Sequence, residues 1–180
     1  LYPTIEDRPF DDIDVLVRSD DLDRAGPVLG GLGYRRTNST QRGAVGSRLD
    51  EWILDREQRV VVELQSELVR SRTLGAALTL TYNELIAAGN GHPEDANALL
   101  LVAAMHGAAI HQFERLQHLV DVLQAVRGTA GPIHIDRLKE GARLTGSTLP
   151  VQAALDLTAA MFSEPAARER SAIARCPRPS

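Results

Sequence analysis

The stretch Gly89-Asn90-Gly91-His92-Pro93 constrains the fold more than any other part of the chain. Glycine and asparagine favour turns, and Pro93 lacks an amide donor and fixes φ, so no strand or helix runs unbroken through it. Ahead of it lie short β-branched runs such as Ile13-Asp14-Val15-Leu16-Val17 and Arg59-Val60-Val61-Val62. After it, Pro93-Glu94-Asp95 opens a long helix with acids in its first turn, and Ala98–Ile110 is apolar on nearly all sides, as in a buried helix. The expected fold is α+β. A small mixed β-sheet part occupies residues 1–90 and a helical bundle residues 94–163, with a frayed Arg-, Ala- and Pro-rich tail over 164–180. At 180 residues and 43% apolar content the chain is long enough for one or two small domains with a true core.

The strand beginning at Asp12 carries the first chemistry. Side chains alternate along a strand, so Asp12 and Asp14 share one face while Asp11 and Ile13 take the other. Two carboxylates that close repel each other. Such a pair persists either at a fully solvated strand end or around a cation, and Mg²⁺ suits the second case as a hard ion that prefers carboxylate oxygens. A third acid, Glu63, lies inside the β-branched run Arg59–Gln65, where glutamate is disfavoured. It shares a face with Val61 and Gln65, and projects beside the aspartates if the two strands are neighbours. A charge that merely protects a sheet edge is the structural alternative.

In chain order, Ser19-Asp20-Asp21 reads as a helix start, with a helix running to Leu32, Pro27 interrupting it and Gly33 at its C-cap. Tyr34-Arg35-Arg36 starts a strand, and Thr37–Ser47 reads as a polar loop. Arg48–Leu54 and Arg59–Leu68 are expected to form an antiparallel hairpin around Asp55–Gln58, with Trp52 a packing residue first and a base-stacking surface second. Beyond the break, His106 and His111 lie five residues apart, which on an α-helix does not align them, so His106 reads as a packed or hydrogen-bonded core histidine. Leu116, Leu119, Val120 and Leu123 form the stripe of an amphipathic helix, with Asp121 beside it paired to Arg115 or a histidine. Asp136–Leu144 and Pro150–Phe162 close the bundle.

Arg8-x-x-x-Asp12-Ile13-Asp14-Val15-Leu16-Val17, the helix ending Leu32-Gly33-Tyr34, and Val62-Glu63-Leu64 together resemble the bacterial nucleotidyltransferase-like family of the DNA polymerase β superfamily. The later stretch with Ala98–Leu101, His106, His111, Leu116 and Leu119-Val120-Asp121 is similar to that family's helical half, so the resemblance covers residues 8–127. It implies that Asp12, Asp14 and Glu63 hold two Mg²⁺ (or Mn²⁺) ions. It also implies an NTP as substrate, a hydroxyl on a small molecule or protein as acceptor, and Glu63 as helper of the acceptor oxygen. Arg8, Arg70 and Arg72 are the expected phosphate contacts. The sequence departs from the family pattern twice. Nothing before Arg8 supplies the Gly-Ser-like turn that holds the nucleotide phosphates, and Gln65 stands where the family commonly has His. Those departures fit the alternative of a catalytically degraded nucleotide- or partner-binding module; a toxin–antitoxin component of the same fold is a separate alternative.

Net charge of −4 argues against a general nucleic-acid coat, which is ordinarily basic. Lys139 is the only lysine, so phosphate contacts fall to arginine, which grips phosphate with two parallel hydrogen bonds. Cys176 is single, with no Cys/His metal spacing, and no apolar span of membrane length appears. A cytoplasmic enzyme with no membrane partner is the expected class.

Overall fold

The computed structural model of the chain describes residues 4, 8, 10–42, 48–55, 59–69, 77–128 and 131–174. They form two compact units, Thr4–Asn83 and Glu84–Ser180. The division falls at residue 83, ahead of the Gly89–Pro93 break. The fold is α+β, with a four-stranded mixed sheet and, among the described residues, seven α-helices.

In the first unit the strands are β1 (Asp12–Leu16), β2 (Arg35–Arg42), β3 (Arg48–Asp55) and β4 (Arg59–Gln65), in the order β1-β4-β3-β2. The expected hairpin forms, with β3 antiparallel to β4 and Asp55 opposite Arg59. β1 then adds parallel to β4, and Val17 continues the ladder by donating its amide to the Gln65 carbonyl at 2.9 Å. Two expectations change here. Thr37–Arg42 is strand rather than loop, because antiparallel pairing with β3 satisfies its backbone, with a register irregularity between Arg36 and Thr40. β4 ends at Gln65 rather than Leu68. Beyond it the chain pairs elsewhere, through a Glu67–Thr81 bridge and a 2.9 Å bond from the Leu68 amide to the Leu80 carbonyl.

Helix α1 (Leu22–Gly31) follows a 3-10 turn at Ser19–Asp21 and keeps Pro27 in its interior. It lies on the sheet face that carries Trp52. A methyl at Gly26 would stand 3.0 Å from the indole, so a larger residue there would have to displace the ring by a few tenths of an ångström. Trp52 is therefore a packing residue. On the same face Arg36 pairs with buried Asp50, while Arg35 bridges to Asp55 at 2.6 Å across the open end of the β2–β3 pair. Every acid of interest on β1 and β4 belongs to the opposite face.

The second unit is built around α3 (Ala96–Met105), in which Ala98, Leu100, Leu101, Ala104 and Met105 are almost wholly buried. Around it stand α2 (Tyr82–Ala88), which starts in the first unit, α4 (Leu116–Arg127), α5 (Ile135–Leu144), α6 (Thr148–Phe162) and α7 (Pro165–Ala174). The stripe of α4 is rotated from the expected one. Leu116 is exposed, and His118, Leu119, Asp121, Val122, Leu123, Ala125 and Val126 face inward. Where a tail was expected from residue 164, α7 docks. Ala167 is fully buried, Arg127 bridges to Glu164 at 3.3 Å, and Arg170 donates to the Val126 carbonyl near the C-terminus of α4, a group the helix leaves without a partner. Residues 175–180 lie outside the described residues.

Asp95 caps α3. Its carboxylate accepts from the Asn97 amide and the Asn97 side chain, both at 2.8 Å, and Arg137 stands 3.4 Å away. Burial pushes its pKa up, but the Asn97 hydrogen bonds and the Arg137 charge outweigh burial and hold it below the ordinary carboxylate range. A depressed folded-state pKa stabilises above the unfolded value, near 3.9, and that stability is lost as pH falls through the folded value. Asp95→Ala should therefore cost about 1 kcal/mol in urea melts at pH 7. The gap should close below roughly pH 4. A gap that does not change with pH would show that the cap works without its charge.

Candidate active site

β1 and β4 place the predicted acids. In their parallel register Asp12 stands opposite Val61, Asp14 opposite Glu63 and Leu16 opposite Gln65. Opposed residues of neighbouring strands share a face, so Asp12, Asp14 and Glu63 lie on one side of the sheet. The strand order turns the expected adjacency into fact for Asp14 and Glu63. Asp12 sits two residues back along β1 on the same face. Asp12 and Asp14 are exposed and Glu63 is half-buried.

The row extends further. Glu63 is also opposite Glu51 on β3, so Asp14, Glu63 and Glu51 form a line across three adjacent strands. Glu51 was not among the expected site residues. Its signal lay in the hairpin, since counting back equally from the Asp55–Arg59 pair brings Glu51 opposite Glu63. Like charges set opposite each other across strands are destabilising, so four carboxylates on one face of three strands concentrate negative potential there.

Gln65 is engaged in this row. It is buried at 1% exposure, and its Nε2 donates to Asp14 Oδ1 at 2.9 Å. A neutral amide here offers Asp14 a donor at any pH, which a titrating side chain would not. The bond fixes the orientation of the Asp14 carboxylate. Its own Oε1 is buried without a hydrogen-bond partner.

The carboxylate oxygens are hard donors of the kind Mg²⁺ accepts, with room on an exposed strand for substrate oxygens to complete a coordination shell. They are aligned along the sheet. Among the described residues, the side chains whose ligand atoms all lie within 4.8 Å of one another are instead three histidines of the second unit, His106, His111 and His118. Arg8 is half-buried ahead of β1. Arg70 and Arg72 lie outside the described residues.

A family model described as "Uncharacterised nucleotidyltransferase" matches residues 1–163, nine-tenths of the chain. The chain belongs to this family. No curated protein and no solved structure matches it. Membership agrees with the resemblance drawn from the Asp-Ile-Asp strand, and the mixed sheet with its helical unit is consistent with a nucleotidyltransferase-like domain. A nucleotide is the substrate the family name suggests, and among the described residues no helix is long and apolar enough to cross a membrane.

The Gln65–Asp14 contact gives a direct measure of how negative the row is. Gln65→Glu keeps the shape but sets a carboxylate within hydrogen-bond distance of Asp14 in a buried position. It should destabilise the fold by about 2–4 kcal/mol at pH 7.5. Gln65→Leu, which removes the amide without adding charge, should cost about 1 kcal/mol. In urea melts at pH 4.5 the Glu variant should recover toward the Leu variant, because one shared proton relieves the repulsion. Equal losses for the two variants at pH 7.5 would show that the row carries no excess field.

Proposed function

We propose that the protein transfers a nucleotide from Mg²⁺-NTP to a hydroxyl of a small-molecule or protein acceptor, using Asp12, Asp14 and Glu63 as metal ligands. The observation that carries this reading is the in-register opposition of Asp14 and Glu63, with Asp12 on the same face, in a chain of a nucleotidyltransferase family. Cross-strand like charges are an expense that a divalent cation removes. Bound Mg²⁺ (or Mn²⁺) would neutralise charge on the triphosphate and on the departing pyrophosphate.

The chain's own residues would divide the remaining work. Asp14, oriented by Gln65, and Asp12 hold the charge-neutralising site at the mouth of β1. Glu63, half-buried beside them, takes the proton of the acceptor hydroxyl as that oxygen attacks the α-phosphorus. The bond from the α-phosphorus to the bridging oxygen breaks, and pyrophosphate leaves with that electron pair. Glu51 adds to the field that favours cation binding. Arg8, Arg70 and Arg72 are the phosphate contacts of this reading, because guanidinium pairs bidentately with phosphate. A cytoplasmic setting, rich in NTP and Mg²⁺, suits it.

A second reading is favoured by Gln65. Its amide occupies Asp14 and cannot act as acid or base near neutral pH, which fits a module that binds nucleotide without turning it over.

Thermal-shift titration with each NTP, with and without Mg²⁺, tests both. At a nucleotide concentration near a hundred times Kd the melting temperature should rise by about 5–10 °C, only with the metal. Asp14→Ala should abolish the shift while melting at or above the temperature of the unliganded native chain. A shift without pyrophosphate release in the presence of candidate acceptors would select the binding module. The absence of a metal-dependent shift with any NTP would sink both.

A further inference from the structure

The second unit carries a different set of ligands. His106 begins a π-helical turn, His106–Ile110, that continues α3, His111 follows it, and His118 is in the first turn of α4. Five residues separate His106 from His111, a spacing that misaligns side chains on an α-helix. In the π turn the hydrogen bond runs from residue i+5 to residue i, and the His111 amide donates to the His106 carbonyl at 3.2 Å. That change of period brings the two rings together, with centroids 4.6 Å apart. His118 stacks on His111 at 4.5 Å and meets His106 edge-on at 5.8 Å. His106, expected from sequence to be packed or hydrogen-bonded in the core, sets its ring against both others. The side chain is half-buried and belongs to a cluster.

From this geometry we infer that His106, His111 and His118 form a binding site for a divalent transition-metal ion of the Zn²⁺ class, with its remaining coordination position open to solvent or ligand. One nitrogen from each ring lies within 4.8 Å of the other two. A tetrahedral ion at Zn–N distances near 2.05 Å sets its ligands about 3.3 Å apart, so small side-chain rotations close the set. His118 is 6% exposed, and its Nδ1 is buried with no hydrogen-bond partner. Such a nitrogen is unfavourable to bury, and an ion bound at the site gives the imidazole cluster a reason to bear that cost. Imidazole nitrogen suits Zn²⁺, Cu²⁺, Ni²⁺ and Fe²⁺, whereas Mg²⁺ prefers oxygen. Three protein nitrogens with an open fourth position is the ligand count of catalytic zinc sites.

The surroundings fit a dication. Glu114 Oε1 lies 3.3 Å from His111 Nδ1. That contact favours the tautomer with the proton on Nδ1 and leaves the lone pair on Nε2, an arrangement that recurs behind metal-bound histidines. Asp121 is buried one turn after His118 and accepts from Gln117 at 3.3 Å, so a second carboxylate stands near the site. Burial, and then the neighbouring His111 and His106, push the His118 pKa down against the pull of Asp121 and Glu114.

The backbone that assembles the trio is strained. Gln112 and Phe113 are consecutive non-glycine residues in the left-handed region, at φ 51° and 54°. Strain of this kind collects at functional sites. The Phe113 amide donates to the Gly107 carbonyl at 2.8 Å, and a methyl at Gly107 would stand 2.7 Å from the Phe113 ring, so the turn admits only glycine there. This inference does not depend on the nucleotidyl-transfer reading, because its ligands belong to another unit and another donor class.

Cobalt titration of the EDTA-stripped full chain in excess Mg²⁺ tests it. Mg²⁺ occupies oxygen sites, and Co²⁺ reports nitrogen ligation by its visible absorption. One equivalent should bind with the intense absorption of a four- or five-coordinate site and be displaced by Zn²⁺. His106→Gln and His111→Gln, both at half-buried positions, should each weaken binding at least about a hundredfold, more than loss of an outer partner costs. Asp14→Ala should leave binding unchanged. Should His118→Ala fail to fold, the two Gln variants still decide. Failure to take up one equivalent, or tight binding that persists in both Gln variants, would overturn the assignment.

Discussion

The parallel pairing of β1 with β4 is the constraint on which the first unit depends. β3 and β4 form a hairpin that closes on itself through a short connection, and β2 adds by antiparallel pairing. β1 comes from before α1 and must pass both other strands to reach the far edge. Its reward is a ladder with β4 from Asp12 to Leu16, extended by the Val17 amide. The same ladder fixes the chemistry. A slip of one residue would put Asp12 and Asp14 on the face of Trp52 and α1, where Asp50 already needs Arg36 as a partner. The register that buries Val62 and Leu64 is thus the one that puts Asp14 beside Glu63. Folding and site assembly are one event in this unit.

That register has an electrostatic cost, which the local structure handles in two ways. Asp12 and Asp14 stay exposed at the edge strand, where charge is well hydrated and discourages edge-to-edge pairing. Gln65, buried below them, donates to Asp14 where a second acid would repel it. Edge protection by itself explains Asp12 and Asp14. It does not explain Glu63 and Glu51, which sit on the interior strands β4 and β3. Interior, half-buried acids in line with an edge acid are the part of the pattern that a purely protective role leaves unaccounted for.

Much of this was readable in the sequence because it rested on local periods. The alternation in Asp12–Leu16 and Arg59–Gln65, the hairpin turn, the Gly89–Pro93 break and the apolar run at Ala98–Met105 each fix an element without reference to the rest of the chain. What escaped depends on pairing or on a change of period. Thr37–Arg42 is polar and becomes a strand only because β3 offers it partners. The stripe of α4 was misplaced because its buried side includes His118 and Asp121, residues that hydropathy counts as outward. Helix α7 is held by polar contacts, Arg170 to a carbonyl and Arg127 to Glu164, in a segment whose composition alone suggests a tail. The histidine cluster was hidden because a spacing of five has no meaning on an α-helix, and nothing local announces a π turn.

The two ligand sets proposed for this chain differ in a way that sorts metals between them. Zn²⁺ outcompetes Mg²⁺ at almost any site by intrinsic affinity, so a row of carboxylates alone is open to capture by whatever transition metal is present. Three imidazoles are the better ligands for that ion, and their nitrogens lie close together. If both proposed sites bind metal, the histidines would fill first under scarce zinc. The carboxylates, whose oxygens suit harder ions, would then be left to the abundant Mg²⁺. On the two proposals, donor type rather than geometry that forces one metal would sort the ions between the units. That division follows from where the fold puts its acids and its histidines: the acids on strands that pair across the sheet, the histidines at a turn whose period departs from the helix on either side.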